Sequence, residues 1–209
     1  MKITSKSLHH SNIVFVFDES RFFIPDNRLL NSLYRGEAAI GARFVDDPVL
    51  QTKILDLPKL KLQISVEPGR LRIDDNSQEE PESSFLIKEA VNIYQQSFSQ
   101  NKLIGFGFNF DIYYQTNQVI RLWDLFANFV EKKVLEKNEL RDLGVQFTLE
   151  KEGGKRREIY FIKITAPLEI AVHINHHFSA SKLPEFSAIK KSFEKCYDET
   201  DETIQNLKI

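Results

Sequence analysis

One cysteine, Cys196, stands in 209 residues, with one methionine and one tryptophan. A lone thiol excludes an intramolecular disulfide and fits a reducing, cytoplasmic setting. No charge of one sign dominates: the formal net charge is −2, which argues against global attraction to nucleic acid or to an anionic membrane. No apolar run reaches the roughly 18 residues a spanning helix needs, so no membrane contact is expected. The opening "MKITSKSLHHSNIVFVF" lacks the apolar core and small-residue cleavage site of a signal peptide. Glycine is scarce, eight in all, so each glycine inside a strand pattern calls for a reason.

What is plentiful is phenylalanine, with 17 copies. Together with 42% hydrophobic and 28% charged residues, that describes one globular domain over 1–209 with an aromatic core. A chain of this length buries enough surface to need no disulfide or metal staple.

Alternation dominates the patterning. Ile13 to Phe17 reads as a short buried strand, and Pro25-Asp26 and Gly36 bracket a short helix carrying Leu29, Leu30 and Leu33. "AAIGARFV" (38–45) reads as a strand. In "KLKLQISVEPGRLRIDD", Leu60, Leu62, Ile64 and Val66 alternate with Lys59, Lys61, Gln63 and Ser65, the period-2 mark of a half-buried strand. Pro68-Gly69 then supplies the central pair of a type II turn, and Leu71 and Ile73 return. The acidic "DDNSQEEPESS" (74–84) is a solvated loop ending at a helix-capping serine. Ile87, Val91, Tyr94 and Phe98 form one helical stripe. Further patterns predict a strand over 103–114 and a helix over about 118–136 with Val119, Trp123, Phe126 and Val130. They also predict a hairpin turning at Gly153-Gly154, a break at Pro167, and a helix over 187–207 with Ile189, Phe193, Cys196, Ile204 and Leu207 on one face.

These elements predict an α+β fold, mostly antiparallel sheet with helices packed on one face. The order strand, strand, strand, helix occurs over 38–98 and again over 143–207. "IGARF" (40–44), "IGFGF" (104–108) and "LGVQF" (143–147) share a local form. A duplicated unit is the expectation.

"IGFGFNFDIYY" (104–114) is the most patterned stretch. Phe106, Phe108 and Phe110 face the core with Ile104 and Ile112, leaving Gly105, Gly107, Asn109 and Asp111 on the other face. Glycine there marks close approach by another element, from this chain or from a second copy, or a groove for a ligand or partner. "GFGFNF" lacks the strand-to-helix context and third glycine of a dinucleotide turn, and no cofactor is assigned.

Lys59, Lys61, Arg70 and Arg72 on one hairpin, with Lys155, Arg156 and Arg157 at a later turn, are the candidate nucleic-acid contacts. They need their strands to share a sheet face, and no aromatic residue interleaves with them for stacking. In "HINHHF", His173 and His177 share a strand face but stand roughly 13 Å apart. Zinc ligands lie about 2 Å from the metal, so no metal site is assigned. Cys196 sits on an apolar helical stripe beside Glu194, Asp198 and Glu199, where a thiol is not activated. Asp111, Glu158 and Lys163 evoke a nuclease triad, but Glu158 and Lys163 face opposite sides of a strand. No catalytic residue is assigned.

"VEPGRLRIDD", a helix and then "IGFGFNF" resemble an uncharacterised family of small bacterial proteins with a Pro-x-Arg turn and a Gly-x-Asn-Phe strand. The matching residues are Pro68-Gly69-Arg70 and Gly107-Phe108-Asn109-Phe110, within residues 60–115. The resemblance implies a bacterial globular protein and brings no activity with it. The expected function is a non-catalytic interaction or adaptor protein, self-associating or binding a protein partner. The alternative is a nucleic-acid-binding component, and a third reading is a small-molecule enzyme seated over the glycine strand.

Overall fold

Strand β1 (Ile3–Phe17) is 15 residues long, three times the apolar segment from which it is read. The computed structural model describes residues 2–118 and 144–207. The further strands among these residues are β2 (Arg43–Asp47), β3 (Thr52–Leu57), β4 (Leu62–Glu67), β5 (Arg70–Asp75), β6 (Leu103–Thr116), β7 (Gly144–Lys151), β8 (Arg156–Ala166) and β9 (Glu169–Ser179). They form one sheet in the order β2-β3-β4-β5-β1-β6-β9-β8-β7, every pair antiparallel.

The polar first half of β1 gave no alternating signal because its partner carries the pattern. Ile3 to Phe17 lies along Thr116 to Leu103 of β6, with a bulge between Leu8 and His10. That bulge shifts the side-chain parity, so Leu8 and then Ser11, Ile13, Phe15 and Phe17 all reach the same face.

Among the described residues the α-helices are α1 (Asn27–Ser32), α2 (Leu86–Ile93, continued by a π-helical turn Tyr94–Phe98) and α3 (Phe186–Gln205). Asp26 caps α1, accepting from the Leu29 N–H at 2.8 Å. Ser84 Oγ accepts from Leu86 N–H at 3.0 Å and donates to Asp75 Oδ2 at 2.6 Å, tying the start of α2 to the end of β5. The apolar stripes of α2 (Leu86, Ile87, Ala90, Val91) and α3 (Ile189, Phe193, Cys196, Ile204) pack on one face of the sheet. The helix expected over 118–136 lies outside the described residues.

The centre of the core is aromatic. Phe108 lies 5.3 Å from Phe193 and 5.5 Å from Phe178, and Phe110 lies 5.0 Å from Phe193, ring centre to ring centre. Phe106, Phe108 and Phe110 are all buried on the helix face.

Two readings of the sequence change. Residues 38–98 hold four strands before their helix, because β3 was hidden in "TKILDL" between two prolines; residues 144–207 hold three. "IGARF" follows a 3-10 turn (Gly36–Ala39) and reaches only the first two residues of β2, whereas "LGVQF" enters β7 and "IGFGF" lies within β6. Lys59 and Lys61 are not on a strand either. Residues 58–61 form the turn between β3 and β4, with Lys61 at φ 53°, and β4 begins at Leu62.

The glycines of β6 answer to their neighbouring strand. A Cβ on Gly107 would stand 2.8 Å from the carbonyl oxygen of His176, and one on Gly105 would stand 2.8 Å from that of Phe178. Among the described residues, the nearest atoms are therefore the β9 backbone and the His177 ring rather than an overlying helix. Gly107→Ala is expected to push β6 and β9 apart and cost about 1–3 kcal/mol, as overpacking does. Urea denaturation of the variant checks this, and an unchanged midpoint would mean that the two strands separate freely.

Candidate functional site

The face of the sheet opposite the helices carries a hydrogen-bonded polar array. It follows from alternation plus register. Asn12 of β1 stands opposite Asn109 of β6, which stands opposite Asn175 of β9. Asn175 Nδ2 donates to Asn109 Oδ1 at 2.5 Å, and Asn109 Nδ2 donates to Asn12 Oδ1 at 2.6 Å. Three amides from three strands thus form one directional chain.

A charged chain runs beside it. The guanidinium of Arg72 on β5 donates to Asp74 Oδ1 at 2.6–2.8 Å. His10 places Nε2 2.8 Å from that same oxygen and Nδ1 3.1 Å from Asp111 Oδ2. Asp111 Oδ1 then takes His173 Nδ1 at 2.6 Å. With a carboxylate at each ring nitrogen, His10 donates from both. Hydrogen bonds to Asp111 and then Asp74 raise its pKa to about 9, more than offsetting burial. Burial alone would raise Asp111, but the hydrogen bonds from His10 and His173 hold it well below the usual carboxylate range.

The sign of the linkage is fixed by His10. A histidine raised from 6.5 to about 9 on folding gives stability that is complete below about pH 6.5 and is lost as pH rises through about 9. The urea midpoint of the wild type should therefore fall across that window. His10→Gln should start lower and lack the fall. Parallel pH profiles for the two proteins would refute the clamp.

Asn109 and Asp111, read from sequence as part of a partner face, both belong to this array, while Gly105 and Gly107 lie further along the same strand. Asp74, His10, Asn12 and Asn175 were missed. The signal was there: asparagine is depleted in strands, yet each of the three stands beside an apolar strand residue, in "HSNIVF", "GFNFD" and "HINHH".

The seven basic candidates do not form one surface. Arg70, Arg72 and Arg157 share the polar face, with Arg70 opposite Glu67 and Arg157 opposite Glu150 across their strand pairs. Lys155 lies in the β7–β8 turn, and Lys59 and Lys61 lie in the β3–β4 turn. Arg156 faces the other way and is buried, paired with Glu199 and, at 3.1 Å, with Glu158.

That pairing is part of a second cluster, beneath α3. Glu158 is fully buried on β8, 3.1 Å from Lys151 Nζ and 3.3 Å from His176 Nδ1, and Tyr160 OH donates to it at 3.2 Å. Burial pushes Glu158 up, but His176 and Lys151 more than reverse this and bring its pKa to about 2. Burial lowers the His176 pKa despite the Glu158 carboxylate beside it, and its Nε2 lies 3.1 Å from the hydroxyl of Thr200. Thr200 gives its one proton to the Cys196 carbonyl at 2.8 Å. Burial pushes the Cys196 thiol up to about 12, which removes its nucleophilicity at neutral pH. Lys163 and Glu158 face opposite sides of β8, so the nuclease-like set of Asp111, Glu158 and Lys163 is not brought together. Among the described residues, no three His, Cys, Asp or Glu side chains are grouped to hold a metal ion. No helix among them is long and apolar enough to cross a membrane.

No family model matches the chain, and no curated protein matches it.

Proposed function

We propose that this protein is a non-catalytic interaction protein that presents the polar face of its sheet to a protein partner or to a second copy of itself. The observation that carries this reading is the array across β5, β1, β6 and β9. Its amides, imidazoles and carboxylates are held in fixed positions by one another. Preorganised groups of this kind lose little entropy on binding. They also leave little acid–base capacity for catalysis, since His10 stays protonated between two carboxylates at neutral pH. At the margin, Phe161 is exposed beside the array and His173 is the array's exposed end, supplying an apolar and a polar contact.

The test is cross-linking through Lys163, which shares this face, followed by mass spectrometry, together with sedimentation of the purified chain. Cross-links from Lys163 to a partner or second copy are expected, and Phe161→Glu should abolish them while leaving the fold intact. A monomer at 100 micromolar with no such cross-links would overturn the reading.

The nucleic-acid alternative keeps one favourable observation, the shared face of Arg70, Arg72 and Arg157. Each has a carboxylate beside or opposite it, which weakens attraction to phosphate. Oligonucleotide binding that falls steeply with salt would favour the alternative.

We also propose an ancestral duplication, with β1, β3–β5 and α2 corresponding to β6, β7–β9 and α3. Support comes from the strand order, in which each half is a meander whose last strand returns beside its first. In this pairing β2 has no counterpart. An experimental structure in which the two halves fail to superpose strand for strand would end it.

A further inference from the structure

β2 ends the sheet, and among the described residues no strand lies along its outer side. Its outward N–H and C=O groups are therefore open to pairing with another strand. Exposed apolar side chains gather at the same edge. Val49 and Leu50, in the turn that follows β2, are 88% and 69% exposed, more than any other large apolar residue described. Ile40, ahead of the strand, and Val45, at its middle, are each more than half exposed.

The chain around β2 is self-complementary about Val45. Arg43 stands two residues before Val45 and Asp47 two residues after it; Ile40 stands five before and Leu50 five after. Alternation puts Arg43, Val45 and Asp47 on one face of the strand. When two β2 strands run antiparallel about a two-fold axis at Val45, Arg43 of each copy falls opposite Asp47 of the other, and Val45 falls opposite Val45. Just past the strand ends, Ile40 of one copy and Leu50 of the other come to the same corner. Parallel pairing in register would instead set Arg43 against Arg43 and Asp47 against Asp47. Within one chain, β3 already places Asp56 opposite Arg43 and Lys53 opposite Asp46, whose carboxylate also accepts from Asn27 Nδ2 at 2.7 Å. Asp47 is the exception. It stands opposite Thr52 and accepts from the Val49 and Leu50 N–H groups at 2.9 and 3.0 Å, so no cation answers it across the strand pair.

We propose that two copies of this chain join edge to edge through β2, antiparallel about a two-fold axis at Val45, so that each nine-stranded sheet continues into the other. Arg43 then bridges Asp56 of its own chain and Asp47 of the second copy, and the exposed Val45, Ile40 and Leu50 are covered. The charges that flank Val45 select this register, because opposite signs meet only in it. A five-residue edge with its flanking apolar contacts is small, which makes this a weak, exchangeable dimer. The edge is separate from the array on β5, β1, β6 and β9, and either assignment can fail without the other.

The test is sedimentation equilibrium of the full chain up to 100 micromolar, beside Val45→Lys and Val45→Glu. Val45 is half exposed, so both variants should keep the urea midpoint of the wild type. Each variant alone should self-associate at least tenfold more weakly, because the two-fold axis sets like charges against each other. An equal mixture of the two should recover the association, since Lys then meets Glu across the axis. Phe161→Glu, on β8 toward the other end of the sheet, separates this contact from one through the polar face. A wild-type monomer at 100 micromolar, undiminished association of Val45→Lys alone, or no recovery in the mixture would each overturn the proposal. So would association that Phe161→Glu removes and Val45→Lys leaves in place.

Discussion

Glu158→Ala is expected to lower the free energy of unfolding by about 3–5 kcal/mol, the usual effect of removing one partner from a buried ion pair. The residue is fully buried, and the charges of Arg156 and Lys151 both converge on it. Truncation leaves those cations facing a vacated space beneath α3, with Glu199 and the more exposed Glu152 to answer them. The alternative of replacing both Glu158 and Arg156 with apolar residues should be far milder, because the buried guanidinium goes too and Lys151 keeps Glu199 as a partner. Glu158→Leu with Arg156→Met should therefore recover much of the loss. Chemical denaturation of the three proteins measures both statements. A loss under 1 kcal/mol for Glu158→Ala would mean that water reaches the cluster.

The same carboxylate sets part of the acid limb of stability. Its folded pKa of about 2 lies below the ordinary 4.5, so its contribution is complete above the ordinary value and is lost as pH falls toward 2. His10 acts at the other end, with its contribution lost as pH rises through about 9. Maximal stability should lie between these two limbs.

Phe108→Ala is expected to cost a comparable amount, about 3–5 kcal/mol. Phe108 is fully buried at the middle of β6, cross-strand from Ile13 and His176, with its ring edge-on to Phe193 of α3. Removing it opens a cavity where the sheet's central strand pair meets α3, and the rings of Phe106 and Phe178, stacked 5.0 Å apart, cannot easily collapse into it. Phe85→Ala serves as the control. That ring is largely exposed, so its loss should change stability by no more than about 0.5 kcal/mol. A Phe108→Ala protein as stable as the control would show that β6 does not face the core with its phenylalanines.

What the sequence determined by itself is local. Alternation in "IGFGFNF" decided which side Phe106, Phe108 and Phe110 take, and the same parity put His176 on the core face and His173 on the other. Pro68-Gly69 and Gly153-Gly154 marked turns because their backbones accept angles that other residues resist, with φ of 70° at Gly69 and 65° at Gly153. Helical spacing placed Cys196 in the core, where burial is the largest cause of its raised thiol pKa. Tertiary structure decided everything that depends on which strands are neighbours. The amide chain joins residues 97 and 66 positions apart, and the ring of His10 meets Asp74 and Asp111 at separations of 64 and 101. No residue near Asn12 announces Asn109 as its partner. Side-chain parity follows from the geometry of one extended chain, whereas register between distant strands is set by the packing of the whole core, which β1 enters only by pairing with β5 and β6 together.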